Sequence, residues 1–231
     1  MELIKEKWNK KDIDELNKYL YDSRLEDKID FTKRVVNTNM EVLGIKLPFL
    51  KNISKEIIKG NYISYLDYNN SKYYECTVIN SYIISKLKDI ELVKKYIDNL
   101  YIDNWSTVDS ISFNIKNNEY EYLELSKYYL NNKNPFKRRV GVRILFSYKK
   151  TNYLNEVFKI IDSLYKEEDY YVNMAVSWLL CELFIHNREE TLYYLNNNKL
   201  NKFTINKMIS KCRDSFRVSD QDKELLLKYK M

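Results

Sequence analysis

Apolar residues recur every three or four positions along most of the chain, in runs long enough for helices and bounded by Asn, Asp or Glu. Four segments share one layout: NSKYYECTVINSYIISKL from residue 70, DNWSTVDSISFNI from 103, NPFKRRVGVRILFSYKK from 134 and EDYYVNMAVSWLLCELF from 168. Their starts lie 33, 31 and 34 residues apart. Each is followed by a second helical stretch, such as IELVKKYIDNLY, EYEYLELSKYYL or TNYLNEVFKIIDSLY. Asn134 before Pro135 marks one helix start, because Asn is a favoured cap and Pro suits the first helical position. Two helices in every 30 to 45 residues or so indicate an α-solenoid, in which each pair buries its apolar face on its neighbours and the stack curves to leave a concave binding face. The expected fold is therefore all-α. Residues 1–231 are expected to form a single repeat domain, with residues 1–40, where the repetition is weak, as an N-terminal helical cap.

Composition supports this reading. With 231 residues and 45% apolar content the chain can bury a substantial core, and three Gly and two Pro leave little material for the many tight turns of an all-β fold. The formal charge of +6 is compatible with an anionic partner and equally with a solvated basic surface. The cysteines Cys76, Cys181 and Cys212 are odd in number, widely spaced and without a C-x-x-C pair, so neither a disulfide framework nor a zinc site is suggested, and a reducing cytoplasmic setting is expected. The N-terminal stretch MELIKEKWNKKDIDEL lacks an apolar core, and AVSWLLCELFI is too short for a span and is interrupted by Glu182, so neither secretion nor membrane insertion is expected. His186 is the one histidine. Chemistry based on Ser-His, Cys-His or His-bound metal is thereby disfavoured, and any reaction must run on carboxylates, arginines and aromatic faces.

Several residues have the wrong helical phase for the core. In the segment from 168, Val172, Ala175, Val176, Leu179, Leu180 and Leu183 form one stripe, and Trp178 falls about 130° from its centre at 100° per residue. It either packs on a neighbouring repeat or lines a binding face. In the segment from 103, Val108, Ile111 and Ile115 define the buried side, while Trp105 and Asp109, spaced i, i+4, sit one above the other on its flank. In the segment from 134, Val140, Ile144 and Tyr148 point one way, and Arg139 and Arg143 share the opposite face, with Lys137 and Arg138 nearby. Such a cluster suits phosphate contacts, because a guanidinium fork matches phosphate oxygens; a solvated helix face has the same pattern.

The ordered set DNWSTVDSI, NPFKRRVGVRILF and VNMAVSWLLCEL resembles the DNA alkylation repair enzymes of the AlkD type, the HEAT-like-repeat DNA glycosylases. The segment MEVLGIKLPFLKNISKEI, residues 40–57, is similar to the LGI-x-x-P segment of that family, and the Cys76 helix and ETLYYLNNNKLNKFTINKMIS stand where its counterparts would. The similarity spans about residues 35–215. Asp109 matches the aspartate of the family's W-x-x-x-D pattern, Trp105 its tryptophan, Arg139 the arginine of the next repeat and Trp178 the second tryptophan.

The resemblance implies hydrolysis of the N-glycosidic bond of N3- or N7-alkylated purines in double-stranded DNA, with no cofactor or metal and by a monomer. Asp109 would stabilise an oxocarbenium-like sugar and orient water. Trp105 and Trp178 would contact the sugar and backbone, Arg139 would hold phosphate, and Lys137, Arg138 and Arg143 would bind DNA. The sequence departs from the family around Trp178, where Asn173, Met174 and Cys181 stand in place of an expected basic rim. Two other readings stay open: a noncatalytic nucleic-acid-binding relative, and a protein-interaction scaffold of the HEAT type.

Overall fold

The computed structural model describes residues 1–231. It contains fourteen α-helices, two short 3-10 turns and no strand, as the periodicity requires. The chain divides into two compact units, Met1–Asn114 and Ile115–Met231.

The first unit holds α1 (Lys10–Asp22), α2 (Glu26–Val36), α3 (Leu47–Ile58), α4 (Tyr62–Leu66), α5 (Tyr74–Ile84), α6 (Ile90–Asn99) and α7 (Trp105–Asp109). The weakly repetitive N-terminus is helical. Helix α1 starts on a capping box in which Asn9 accepts from the Asp12 amide at 3.1 Å and Asp12 accepts from the Asn9 amide at 2.9 Å. Helix α5 is the centre of this unit, buried almost all round by Cys76, Val78, Ile79, Ile83 and Ile84 together with Thr77, Asn80 and Ser81. Helices α3 and α7 pack against it.

The LGI-x-x-P segment has a specific job in this packing. The buried carboxylate of Glu75 accepts from the amides of Leu43 at 3.0 Å and Ile45 at 3.3 Å, tying the turn to α5. Gly44 between them has φ +71, and a Cβ there would stand 2.7 Å from the Leu25 carbonyl oxygen. Only glycine meets both conditions without strain. Burial pushes the Glu75 carboxyl above its ordinary range, against the opposing effect of these amides.

The second unit holds α8 (Glu119–Leu130), α9 (Pro135–Leu145), α10 (Leu154–Asp162), α11 (Tyr170–His186), α12 (Arg188–Asn197), α13 (Lys202–Asp214) and α14 (Asp220–Leu226). Asn134 caps α9 by accepting from the Phe136 amide at 2.8 Å, with Pro135 in the first turn. Helices α9, α11 and α13 lie side by side, each first in a helix pair, which is the stacking expected of an α-solenoid. The stripe from Val172 to Leu183 on α11 is fully buried. Polar bonds fix the register of α11 on α13: Ser177 Oγ donates to the Thr204 carbonyl at 2.8 Å, and Thr204 Oγ1 donates to Asn173 Oδ1 at 2.7 Å. No helix is long and apolar enough to cross a membrane.

Candidate functional site

The chain around Trp105 and Asp109 is set by polar contacts rather than by helix length. The periodicity anticipates one helix through Ile115, but α7 stops at Asp109. Ile111 and Ile115 are buried as expected, yet carried by irregular chain. The run Ser106, Ser110, Ser112 and Asn114 explains the early stop, since short polar side chains compete for backbone groups. Ser110 Oγ donates to the Ser106 carbonyl at 2.9 Å, and Ser85 Oγ accepts from the Ser112 amide at 2.8 Å.

At its start α7 is pinned from three sides. Fully buried Asn104 accepts from the Thr107 amide at 2.9 Å and donates to Asp103 at 3.0 Å. The Asp103 carboxylate also accepts from Thr38 Oγ1 at 2.7 Å and the Asn39 amide at 2.8 Å. On the α5 side the Ser106 and Tyr74 hydroxyls share a hydrogen bond of 2.6 Å, and those of Thr107 and Thr77 one of 2.8 Å. Trp105 and Asp109 share the remaining flank, both half-buried, and the Trp105 indole Nε1 donates to the Val35 carbonyl at 3.1 Å. An aromatic face and a carboxylate are thus held on one short, immobilised turn. Sequence periodicity anticipated this pair but not its anchors, the bond from Trp105 to Val35, 70 residues away, and those from Thr38 and Asn39 to Asp103, 65 and 64 residues away.

In the second unit the four basic residues of α9 separate. Arg139 is only 5% exposed, and its guanidinium donates to the Tyr171 carbonyl at the start of α11. It does lie away from Val140 and Ile144, but α11 packs there, so the face is not the solvated one that phasing alone describes. Arg138 is bound through Nε and Nη2 to the Glu167 carboxylate, at 2.7 and 2.9 Å, and through Nη1 to the carbonyls of Asn132 and Lys133. These bonds engage four of its five N–H groups within the unit. Lys137 is half-buried in the first turn of α9.

Arg143 reaches a different environment. Its guanidinium carbon lies 4.6 Å from the Phe146 ring centroid and 5.2 Å from that of Trp178. The two rings meet edge to face at 4.6 Å and 63°. Trp178 is half-buried, outside the α11 stripe, so it both packs on a neighbouring helix and keeps part of its ring at the surface. Phe146 was not anticipated; its place three residues after Arg143 on the same flank is the signal that could have found it. His186 ends α11 at the surface. No group of His, Cys, Asp or Glu is arranged to hold a metal ion.

A family model described as DNA alkylation repair enzyme matches residues 16–211. The chain belongs to this family. No curated protein matches it significantly. Within the DNA alkylation repair family, the departures around Trp178 have a physical reading in this member. Asn173 is buried and bonded to Thr204, Asn201 and the Glu167 carbonyl, and Cys181 is buried beside α13. Both positions therefore serve helix packing here. Only Met174, one turn before Trp178 and half-buried, could add a side chain to the outer face.

Proposed function

We propose that this member of the DNA alkylation repair family is a DNA glycosylase that hydrolyses the N-glycosidic bond of N3- or N7-alkylated purines in duplex DNA. The observation that carries the reading is the α7 turn, where a half-buried carboxylate and a half-buried indole share one flank and the indole is fixed by its bond to Val35. Alkylation at N3 or N7 makes the purine a cation and a good leaving group. The barrier is then the developing positive charge on the sugar. In this reading the Asp109 carboxylate stabilises that charge and orients water, whose oxygen bonds to C1′ as the C1′–N bond electrons leave with the base and whose released proton passes to the Asp109 carboxylate and on to solvent. In the first unit the face of Trp105 attracts the cationic sugar; in the second, Trp178 is assigned by the family's motif to contact with the DNA. Arg139, held at the Tyr171 carbonyl, orders the start of α11 and, as the family's motif implies, serves phosphate. Arg143 and Lys137 supply further positive charge to the DNA. The reaction as written needs no metal or cofactor and a single copy of the chain.

The test is release of free base from duplex DNA carrying 7-methylguanine and 3-methyladenine, with chelator present, by wild type and Asp109→Asn. Excision by wild type and a loss of about a hundredfold or more in the variant is the expected result. No release above the spontaneous rate by folded wild type would remove the glycosylase reading and leave a DNA-binding or scaffold protein of the same fold.

A further inference from the structure

We infer that Phe136, Tyr171, Tyr170 and Phe203 form a stacking strip for the unpaired bases of single-stranded DNA. The rings follow one another across the starts of α9, α11 and α13. Centroid separations are 5.2 Å from Phe136 to Tyr171, 5.2 Å from Tyr171 to Tyr170 and 5.8 Å from Tyr170 to Phe203. Tyr170 is 54% and Phe203 38% exposed, so both rings present apolar area to water. The other two are half-buried and hold the row in place, Tyr171 through the backbone bond from Arg139.

The charge around the row selects the occupant. In the three helix starts, residues 132–137, 166–171 and 201–207, the exposed charged residues are Lys133, Lys166, Lys202 and Lys207 against Glu168 alone. Lys207 Nζ stands 5.8 Å from the Phe203 centroid. Asp169 is spent capping α11 at the Val172 amide, and Glu167 is held by Arg138. Aromatic rings interleaved with lysines match a single strand, whose bases expose their faces while the phosphates run beside the cations. Paired bases inside a duplex offer no such faces. A second copy of the chain would bring lysine against lysine.

The inference rests on DNA as the partner and not on base excision. Its test is fluorescence anisotropy with a labelled oligothymidylate of about twelve residues and a duplex of the same length. The proteins are wild type, Tyr170→Ser with Phe203→Ser, and Phe203→Ser alone, each checked for helicity and Tm. The double variant should bind the single strand at least about tenfold more weakly and the duplex within about twofold of wild type. Unchanged single-strand affinity, or parallel loss on both probes, would overturn the proposal. So would a concentration-dependent dimer of wild type that the double variant abolishes, which would assign the row to self-association. Single-strand binding without excision of 7-methylguanine would remove only the glycosylase reading.

Discussion

The Arg143 guanidinium carbon lies 5.2 Å from the ring centroid of Trp178, and the same group lies 4.6 Å from Phe146. One cation therefore fixes the orientation of two rings, one on α9's continuation and one on α11. Trp178 reaches the surface from a helix otherwise buried on nearly every side, so its ring angle depends on this contact.

Arg143→Met keeps the chain length and removes the charge. A cation–π contact is worth about 0.5–2 kcal/mol, so excision should fall between about twofold and thirtyfold, and tryptophan emission should shift as Trp178 loosens. Arg143→Lys should recover part of both. Unchanged emission in Arg143→Met, with excision at the wild-type rate, would show that the ring is held by Phe146 alone.

On α7 the indole N–H of Trp105 and its ring face can be tested separately. Trp105→Phe retains an aromatic face and loses the bond to Val35, worth about 1 kcal/mol, so excision should drop about fivefold. Trp105→Ala removes the face as well and should drop it further. Equal loss in both variants would assign the whole effect to the hydrogen bond.

Periodicity of 3.6 was enough to place the helices from α5 to α11, because each start depends on local sequence: Asn134 and Pro135 start α9 where the caps indicate, and the α11 stripe is buried residue by residue. The same reasoning put Trp178, Trp105 and Asp109 off the core. What it could not reach are relationships between segments distant in sequence. The bond from Trp105 to Val35 and the pairing of Arg138 with Glu167 have no local signature, and α9 alone gives no sign that α11 covers Arg139. The length of α7 was misjudged for a local reason, the serine run that draws backbone bonds away from the helix.

Gly44 gives a stability prediction for the first unit. Alanine there must adopt φ near +71 and bring its Cβ to 2.7 Å from the Leu25 carbonyl. The backbone term alone is about 1–2 kcal/mol, and the clash adds to it. Gly44→Ala should lower the chemical-denaturation midpoint by more than that term, with Glu75 losing its hold on the turn. A variant as stable as wild type would show that the turn relaxes without Glu75.

The pair of Arg138 and Glu167 gives the last prediction, with both a pH and a salt signature. Burial acts to raise the Glu167 carboxyl, but the Arg138 guanidinium and the Asp169 amide override it and hold the group below its ordinary value of 4.5. A carboxyl lowered in the folded state adds stability that is fully present above the unfolded value and is lost as pH falls through the folded one. Wild type should therefore lose this contribution on acidification below about pH 4.5. Arg138→Gln removes the cation from a largely buried carboxylate and should cost about 3 kcal/mol near neutral pH, with a shallower further decline in acid. Because the guanidinium is committed to Glu167 and two carbonyls, the same variant should leave the salt dependence of duplex binding unchanged. A residue that neutralises a phosphate, the role proposed for Lys137, should on substitution reduce that slope by about 0.9. A slope reduced to the same extent in Arg138→Gln would mean that DNA draws Arg138 away from Glu167, and that the pair seen here opens when the protein binds.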